Sequence, residues 1–310
     1  MKARSQKPEA KSRGVAGFAL LACGFWLLAF PLAPASAQRA SREQRAIVAV
    51  VDKNDKAVPG LGPADFTVRE NNVAREVVRV ETAGDPLQVM LLVDTSSGTR
   101  VIMADIRSGV RQFARVILET NPGSEVGLME FGERPVVIAD RATAPNLIDR
   151  AADRLNEHSG SGAYMLEAIV DAARMLKKRE GPRPAIVVFV RSVSPEFSNQ
   201  SYQAIENAVK DARASLWVIL LQDAQRPVTY EEGQQREIVM GDVVTRSGGL
   251  RDILLDQMGI EQHFKEMGDL LTSQYAVVYA RPESLIPPSK LDVSVKRSGA
   301  RALAPRWTGQ

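Results

Sequence analysis

Apolar and polar positions change period along this chain. Ile47-Val48-Ala49-Val50-Val51 is a β-branched run closed by Asp52-Lys53-Asn54-Asp55-Lys56, which is turn chemistry. Asp65-Phe66-Thr67-Val68-Arg69-Glu70 alternates, Asn71-Asn72 supplies a hairpin turn, and 75–81 reads as a further strand. Residues 45–82 therefore predict a small β unit, too small to hold a core alone. Past Gly84-Asp85-Pro86 the pattern switches. Leu87-Gln88-Val89-Met90-Leu91-Leu92-Val93 is almost continuously apolar, as in a strand buried on both faces. Ile102, Ile106, Val110, Phe113 and Ile117 then fall at helical spacing, which predicts a helix over 101–120 ended by Asn121-Pro122-Gly123.

The alternation continues. Strands are predicted over 126–131, 135–138, 185–190 and 216–221, and helices over 147–155, 165–178 and 202–213. Buried strands alternating with helices predict an α/β fold: a doubly wound, mostly parallel sheet with helices on both faces. Residues 229–235 read as a polar insertion, with Glu231-Glu232 and Gln234-Gln235 in a solvated loop. A short helix over 239–246 is stopped by Gly248-Gly249. A strand at 250–255, a helix at 260–271 and a strand at 275–279 follow. The alternating 291–296 could return to pair with the early β unit. Trp307 and Tyr279 read as anchors of that unit.

The first 37 residues read differently. Lys2, Arg4, Lys7, Lys11 and Arg13 make a basic start, 15–32 is uncharged and mostly apolar, and Ala35-Ser36-Ala37 offers a signal peptidase its small residues. We expect cleavage before Gln38 and a mature protein in the periplasm or outside the cell, with no membrane span. Pro31 and Pro34 weigh against a retained anchor, and a bilayer needs about 20 apolar residues of helix. Lipidation at Cys23 is the other alternative, but that cysteine lies inside the apolar run. The expected organisation is a leader (1–37), an N-terminal β segment (38–83), an α/β domain (84–282) and a C-terminal strand segment (283–310).

The leader alters the charge argument. The chain has 40 basic and 37 acidic residues, and the leader holds five and one of them, so 35 and 36 remain. Its removal turns net +3 into net −1, and no basic stripe argues for nucleic acid. Cys23 is the single cysteine, so the mature chain has no disulfide, thiolate metal site or cysteine nucleophile. The two histidines are His158 and His263. Ser96, His158 and an acid could be imagined as a triad, but no G-x-S-x-G elbow is present. Gly160-Ser161-Gly162 follows a helix and lacks the later acid of a dinucleotide site. No enzyme activity is read here.

In a doubly wound sheet, ligands bind at the carboxyl ends of the strands. The first apolar strand ends in Asp94-Thr95-Ser96-Ser97-Gly98, where a carboxylate and nearby hydroxyls could hold a hard cation. Here the chain resembles the von Willebrand factor type A domain, whose metal-ion-dependent adhesion site begins D-x-S-x-S. More narrowly it resembles the von Willebrand A-related proteins of acidobacteria. Val51-Asp52, Val58, Leu61 and Asp65-Phe66 follow that group's N-terminal motif, with Asp55 where glycine is usual. Gly248-Gly249 and the Gln274-Tyr275 strand follow its later motifs.

The resemblance implies five metal-ligand positions. Asp94 and Ser96 match, whereas Gly98 replaces the second serine, Ala163 (after Gly162) the threonine, and Arg191 the second aspartate. We expect no bound metal, magnesium included, and no other cofactor. Arg191 either forms a charge-assisted pair with Asp94 or points to solvent. The resemblance implies an exported protein–protein interaction module binding another protein through the loops around Asp94, Gly162 and Arg191. The alternative is an assembly subunit of a cell-envelope complex that makes contact through its β unit.

Overall fold

The computed structural model describes residues 41–223, 231–282 and 288–307. The expected leader, with Cys23, lies outside the described residues. In chain order the first strands are β1 (Ser41–Val51), β2 (Phe66–Glu70), β3 (Val73–Arg75), β4 (Val77–Thr82) and β5 (Leu87–Val93). Then come α1 (Met103–Thr120), β6 (Glu125–Glu130), β7 (Val136–Ala142), α2 (Pro145–Ala152), α3 (Met165–Arg179) and β8 (Arg183–Arg191). After these follow α4 (Tyr202–Asp211), β9 (Ser215–Leu221) and α5 (Glu231–Ile238). A π turn (Val239–Val243) leads from α5 into α6 (Val244–Arg246). The chain closes with β10 (Arg251–Leu254), α7 (Ile260–Thr272), β11 (Tyr275–Pro282), β12 (Leu291–Val295) and β13 (Arg301–Leu303).

The main sheet has six strands in the order β10-β9-β8-β5-β6-β7, parallel except for the antiparallel edge strand β7. Its period-two side chains divide between two cores. Val89, Leu91, Val93, Val187, Phe189, Trp217 and Ile219 meet α1, α2 and α7, where Phe264 stacks on Phe189 with ring centroids 5.3 Å apart. Met90, Leu92, Ile186, Val188, Leu216 and Val218 meet α3, α4 and the π turn. Each such large side chain contributes roughly 1.5–3 kcal/mol on burial, which is why the strands read as unbroken apolar runs. The fold is thus mixed α/β, with a mostly parallel sheet flanked by helices.

The β unit is made of two small sheets, β13-β1-β11-β4 and β12-β2-β3. β12 pairs with β2 and β13 with β1, so the last strands return to the first. β11, expected within the α/β domain, instead lies between β1 and β4. Its residues Tyr275, Val277 and Tyr279 bury against Val48, Val50, Phe66 and Val68 in a third core. Asn71 and Asn72 both take positive φ in the β2–β3 turn. Asp55, standing where glycine was expected, also has a positive φ of 60°.

Two further expectations change. Glu231 to Gln235 lie in α5 and not in a solvated loop. Gln235 Oε1 accepts from the Tyr202 amide at 2.8 Å, and Arg236 is buried. Trp307, expected to anchor the β unit, packs against the core containing α3 and α4. No helix among the described residues is long and apolar enough to cross a membrane.

Candidate functional site

Strand order reverses at β5, which has β6 on one side and β8 on the other. The crevice beyond the carboxyl ends of β5 and β8 is therefore the place where loops diverge and leave room for a site. Asp94 leaves β5 there, its amide donating to the Phe189 carbonyl at 3.0 Å. Its carboxylate is fully buried and ringed by donors. Oδ1 accepts from the Ser96 amide at 2.9 Å, and Oδ2 accepts from the Ser194 hydroxyl at 2.6 Å and the Arg191 amide at 3.2 Å. Ser96 Oγ, also buried, donates to Ser194 Oγ at 3.0 Å. The Ser96 hydroxyl therefore reaches Asp94 through Ser194 and is turned inward.

The Arg191 guanidinium adopts neither of the expected arrangements. It pairs with Asp223, just beyond β9, and donates to the Gly98 carbonyl, with the side chain only 15% exposed. Only the Arg191 backbone touches Asp94. Two carboxylates lie within reach of this position. The Asp94 oxygens are taken by the Ser96 amide and by the donors of β8 and its loop, which leaves Asp223 for the guanidinium. Gly98 accommodates this arrangement. Its φ is +90°, and a Cβ there would stand 3.0 Å from Arg191 Nη1. A serine side chain at this position and the Arg191 guanidinium compete for one space.

The second loop joins the first through Ser97, whose amide donates to the Ser161 carbonyl at 3.3 Å. Ala163 is fully buried. It bridges to Glu196, and its amide and carbonyl bond Pro195 and Phe197. Gly162 is covered by the Phe197 ring, which a Cβ would meet at 2.3 Å. Tyr164 meets the same ring edge-on, with centroids 6.3 Å apart. So all six expected positions, Asp94, Ser96, Gly98, Gly162, Ala163 and Arg191, lie at one end of the sheet. Between them runs the 192–198 loop, which sequence reasoning missed.

That loop is held by buried charge. Arg236 of α5 donates through Nη1 and Nη2 to the carbonyls of Ser194 and Ser192. Glu196 is buried beside it. Burial pushes the Glu196 carboxyl up to about 7, against the opposing pull of the Ser198 hydrogen bonds and the Arg236 charge. A signal for part of this was present. Ser192 and Ser194 follow the end of β8 much as Thr95 and Ser96 follow β5, and Asp223 is an acid just past the neighbouring strand. Arg236, in a polar stretch, carried none.

The imagined triad does not assemble. The Ser96 hydroxyl is engaged by Ser194, while the His158 ring lies 3.3 Å from Glu130 Oε1. His263, inside α7, bonds Asp252 at 2.5 Å. Among the described residues, no group of three or more His, Cys, Asp or Glu side chains is placed to hold a metal ion.

The same end of the sheet exposes apolar side chains. Val101 is 79% and Phe197 52% exposed; beyond β10, Leu255 is 79% and Met258 87% exposed.

No curated protein matches the sequence. Among solved structures, the chain is similar to a von Willebrand factor type A protein from Catenulispora acidiphila: 13% identity, 87% of this chain and 75% of that one covered, TM-score 0.45. It is similar to the pilus adhesin SpaC from Lactobacillus rhamnosus GG at 13% identity, covering 83% of this chain but 42% of that one, with TM-score 0.49. For the PilB minor pilin from Streptococcus sanguinis the identity is 12%, the coverages 62% and 63%, and the TM-score 0.44. Residues 89–192 match the family model described as von Willebrand factor type A domain. They run from β5 to the end of β8, four of the six strands of the main sheet and the ones that carry Asp94 and Arg191, and the chain thus carries a von Willebrand factor type A domain.

Proposed function

We propose that the chain is an exported, metal-independent module that binds a protein partner through the loops beyond β5 and β8. The observation that carries this reading is the pair of solvent-facing apolar side chains, Val101 and Phe197, on the segments that follow β5 and β8. Exposed apolar groups clustered on a rigid end are what interfaces use as anchors. Metal independence is supported by the donor set. A hard cation needs several oxygen ligands, but the Asp94 oxygens here face N–H and O–H donors, and the guanidinium of Arg191 occupies the space beside Gly98. Export is supported by the leader pattern of residues 1–37.

The test is capture of partners from envelope extract by the wild-type chain and by the double variant Val101→Ser/Phe197→Ser, each with and without EDTA. We expect the double variant to lose the capture and EDTA to leave it unchanged. Capture abolished by EDTA, or magnesium binding at micromolar concentration in calorimetry, would overturn metal independence. N-terminal sequencing of the exported chain should begin at Gln38. The assembly-subunit reading is favoured by one observation, the edge strand β4 with Val78 exposed. If capture survives Val101→Ser/Phe197→Ser but is lost with Val78→Lys, the second reading replaces the first.

A further inference from the structure

A cavity of about 250 Å³ opens at the opposite end of the main sheet, where the amino ends of β8 and β9 meet β1, β11 and β12. Its volume lies just below the range of drug-sized ligand sites, so an occupant would be small. The polar wall is basic: Arg45, Arg183, Arg213 and Arg281 line it, with Glu70 the lining carboxylate among the described residues. Glu70 is already engaged, accepting from Arg75 Nε and the Tyr279 hydroxyl, both at 2.9 Å. Arg45 pairs with Asp85.

Arg183 is the group that stands out. It is 4% exposed. Its Nη atoms donate only to neutral acceptors: the Ala83, Asp85 and Leu271 carbonyls and the Gln274 side chain, at 2.7–2.9 Å. Its Nε has no hydrogen-bond partner, and no carboxylate lies within ion-pair distance among the described residues. Buried charges are ordinarily paired. Burial pushes the guanidinium down to about 10, against the opposing pull of the Asp85 carboxylate. Carbonyl dipoles, including that of Leu271 in the last turn of α7, let the charge remain buried in the free protein.

Besides the neutral polar Gln44, Ser215 and Gln274, the wall has an apolar side, with Leu87, Leu291 and the half-buried Trp307 facing the same space. We propose that this cavity binds a small aromatic carboxylate, its carboxylate facing the arginines and its flat body lying against Trp307 and Leu291. With its four Nη hydrogens taken, Arg183 offers a carboxylate its Nε–H as a charge-assisted donor. Inorganic phosphate would satisfy the charge but leave the apolar wall unfilled. The site is independent of the Asp94 crevice, so it stands or falls separately from the interaction surface.

Calorimetry on the full-length chain with benzoate, benzyl alcohol and inorganic phosphate tests the proposal, with tryptophan emission followed in parallel. Benzoate should bind and shift the emission, and Trp307→Phe should remove that shift. Benzyl alcohol and phosphate should each bind at least about tenfold more weakly. Arg183→Met should weaken benzoate by about tenfold or more. Because Arg183 also braces three carbonyls, that variant could fail to fold; Arg213→Gln, at the exposed mouth, should then weaken benzoate by roughly threefold. The proposal is overturned by absence of benzoate binding at about 10 mM. Equal binding of the alcohol or of phosphate overturns it too, as does benzoate affinity unchanged in Arg213→Gln.

Discussion

Gly98 and Arg191 depend on each other. The left-handed φ of +90° strains any side chain at position 98, and Arg191 Nη1, 3.0 Å from where its Cβ would stand, would have to give way. Gly98→Ser, which restores the serine of the family pattern, should therefore destabilise the fold by about 1–3 kcal/mol, read as a lower urea midpoint. Combined with Arg191→Ala it should cost less than the sum of the two changes, because the clash is shared. Glu196 gives a second prediction at this scale. Its folded pKa, raised to about 7, lies above its ordinary 4.5. Below 4.5 both states hold the proton and no penalty exists. Between 4.5 and about 7 the unfolded chain releases its proton while the folded one keeps it, so stability falls by an amount on the order of 3 kcal/mol and then levels. Glu196→Gln should flatten that fall and be more stable than the parent at about pH 8, as urea titrations across pH would show.

Gly248-Gly249 ends the helical run from α5 and leads into β10. A Cβ on Gly249 would stand 1.7 Å from the Leu216 carbonyl oxygen, and one on Gly248 2.5 Å from the Pro305 nitrogen. Here the segment after β13 crosses the start of β9, and backbone packs on backbone. Gly249→Ala should cost about 3 kcal/mol or more, since neither backbone segment can yield cheaply; a thermal melt would read it. The helix before it shows the limit of patterning. α5 is polar nearly throughout, and no apolar stripe announces it. What holds it is Arg236 reaching the Ser192 and Ser194 carbonyls and Gln235 reaching Tyr202, contacts that exist only once β8 and α4 are in place.

Across the whole molecule, β1 ties the β unit to the α/β sheet. Val48 and Val50 face the core of the β unit, whereas Ala49 and Val51 belong to the core shared with α1 and α7. With one strand serving two cores, the two parts should unfold together. Calorimetry should show a single transition whose van't Hoff and calorimetric enthalpies agree. Two resolved transitions would contradict this. A chain ending at Pro282 would lose β12 and β13, and with them Leu291, Val293 and Leu303, each worth roughly 1.5–3 kcal/mol. It should lose its cooperative melt.

Local pattern alone determined a good deal. Runs such as 87–93 and 216–221 read as strands covered on both sides, and the spacing from Ile102 to Ile117 reads as a helix with one apolar face. The order of these elements carries the fold class and the end of the sheet where Asp94 emerges. Ser96, Gly98, Gly162, Ala163 and Arg191 were placed on that end by the family resemblance, which the pattern of strands and helices alone does not supply. Tertiary structure decided the rest. β11 joined β1 and β4 because a strand's partners are set by which apolar face finds a matching core, and its own alternation does not name them. Arg191 took Asp223 in place of Asp94 because a long side chain pairs with whichever carboxylate is left unsatisfied, and Ser194 and two backbone amides had already claimed Asp94. Hydrogen bonds among residues a hundred positions apart depend on ångström-scale geometry, which no periodicity encodes.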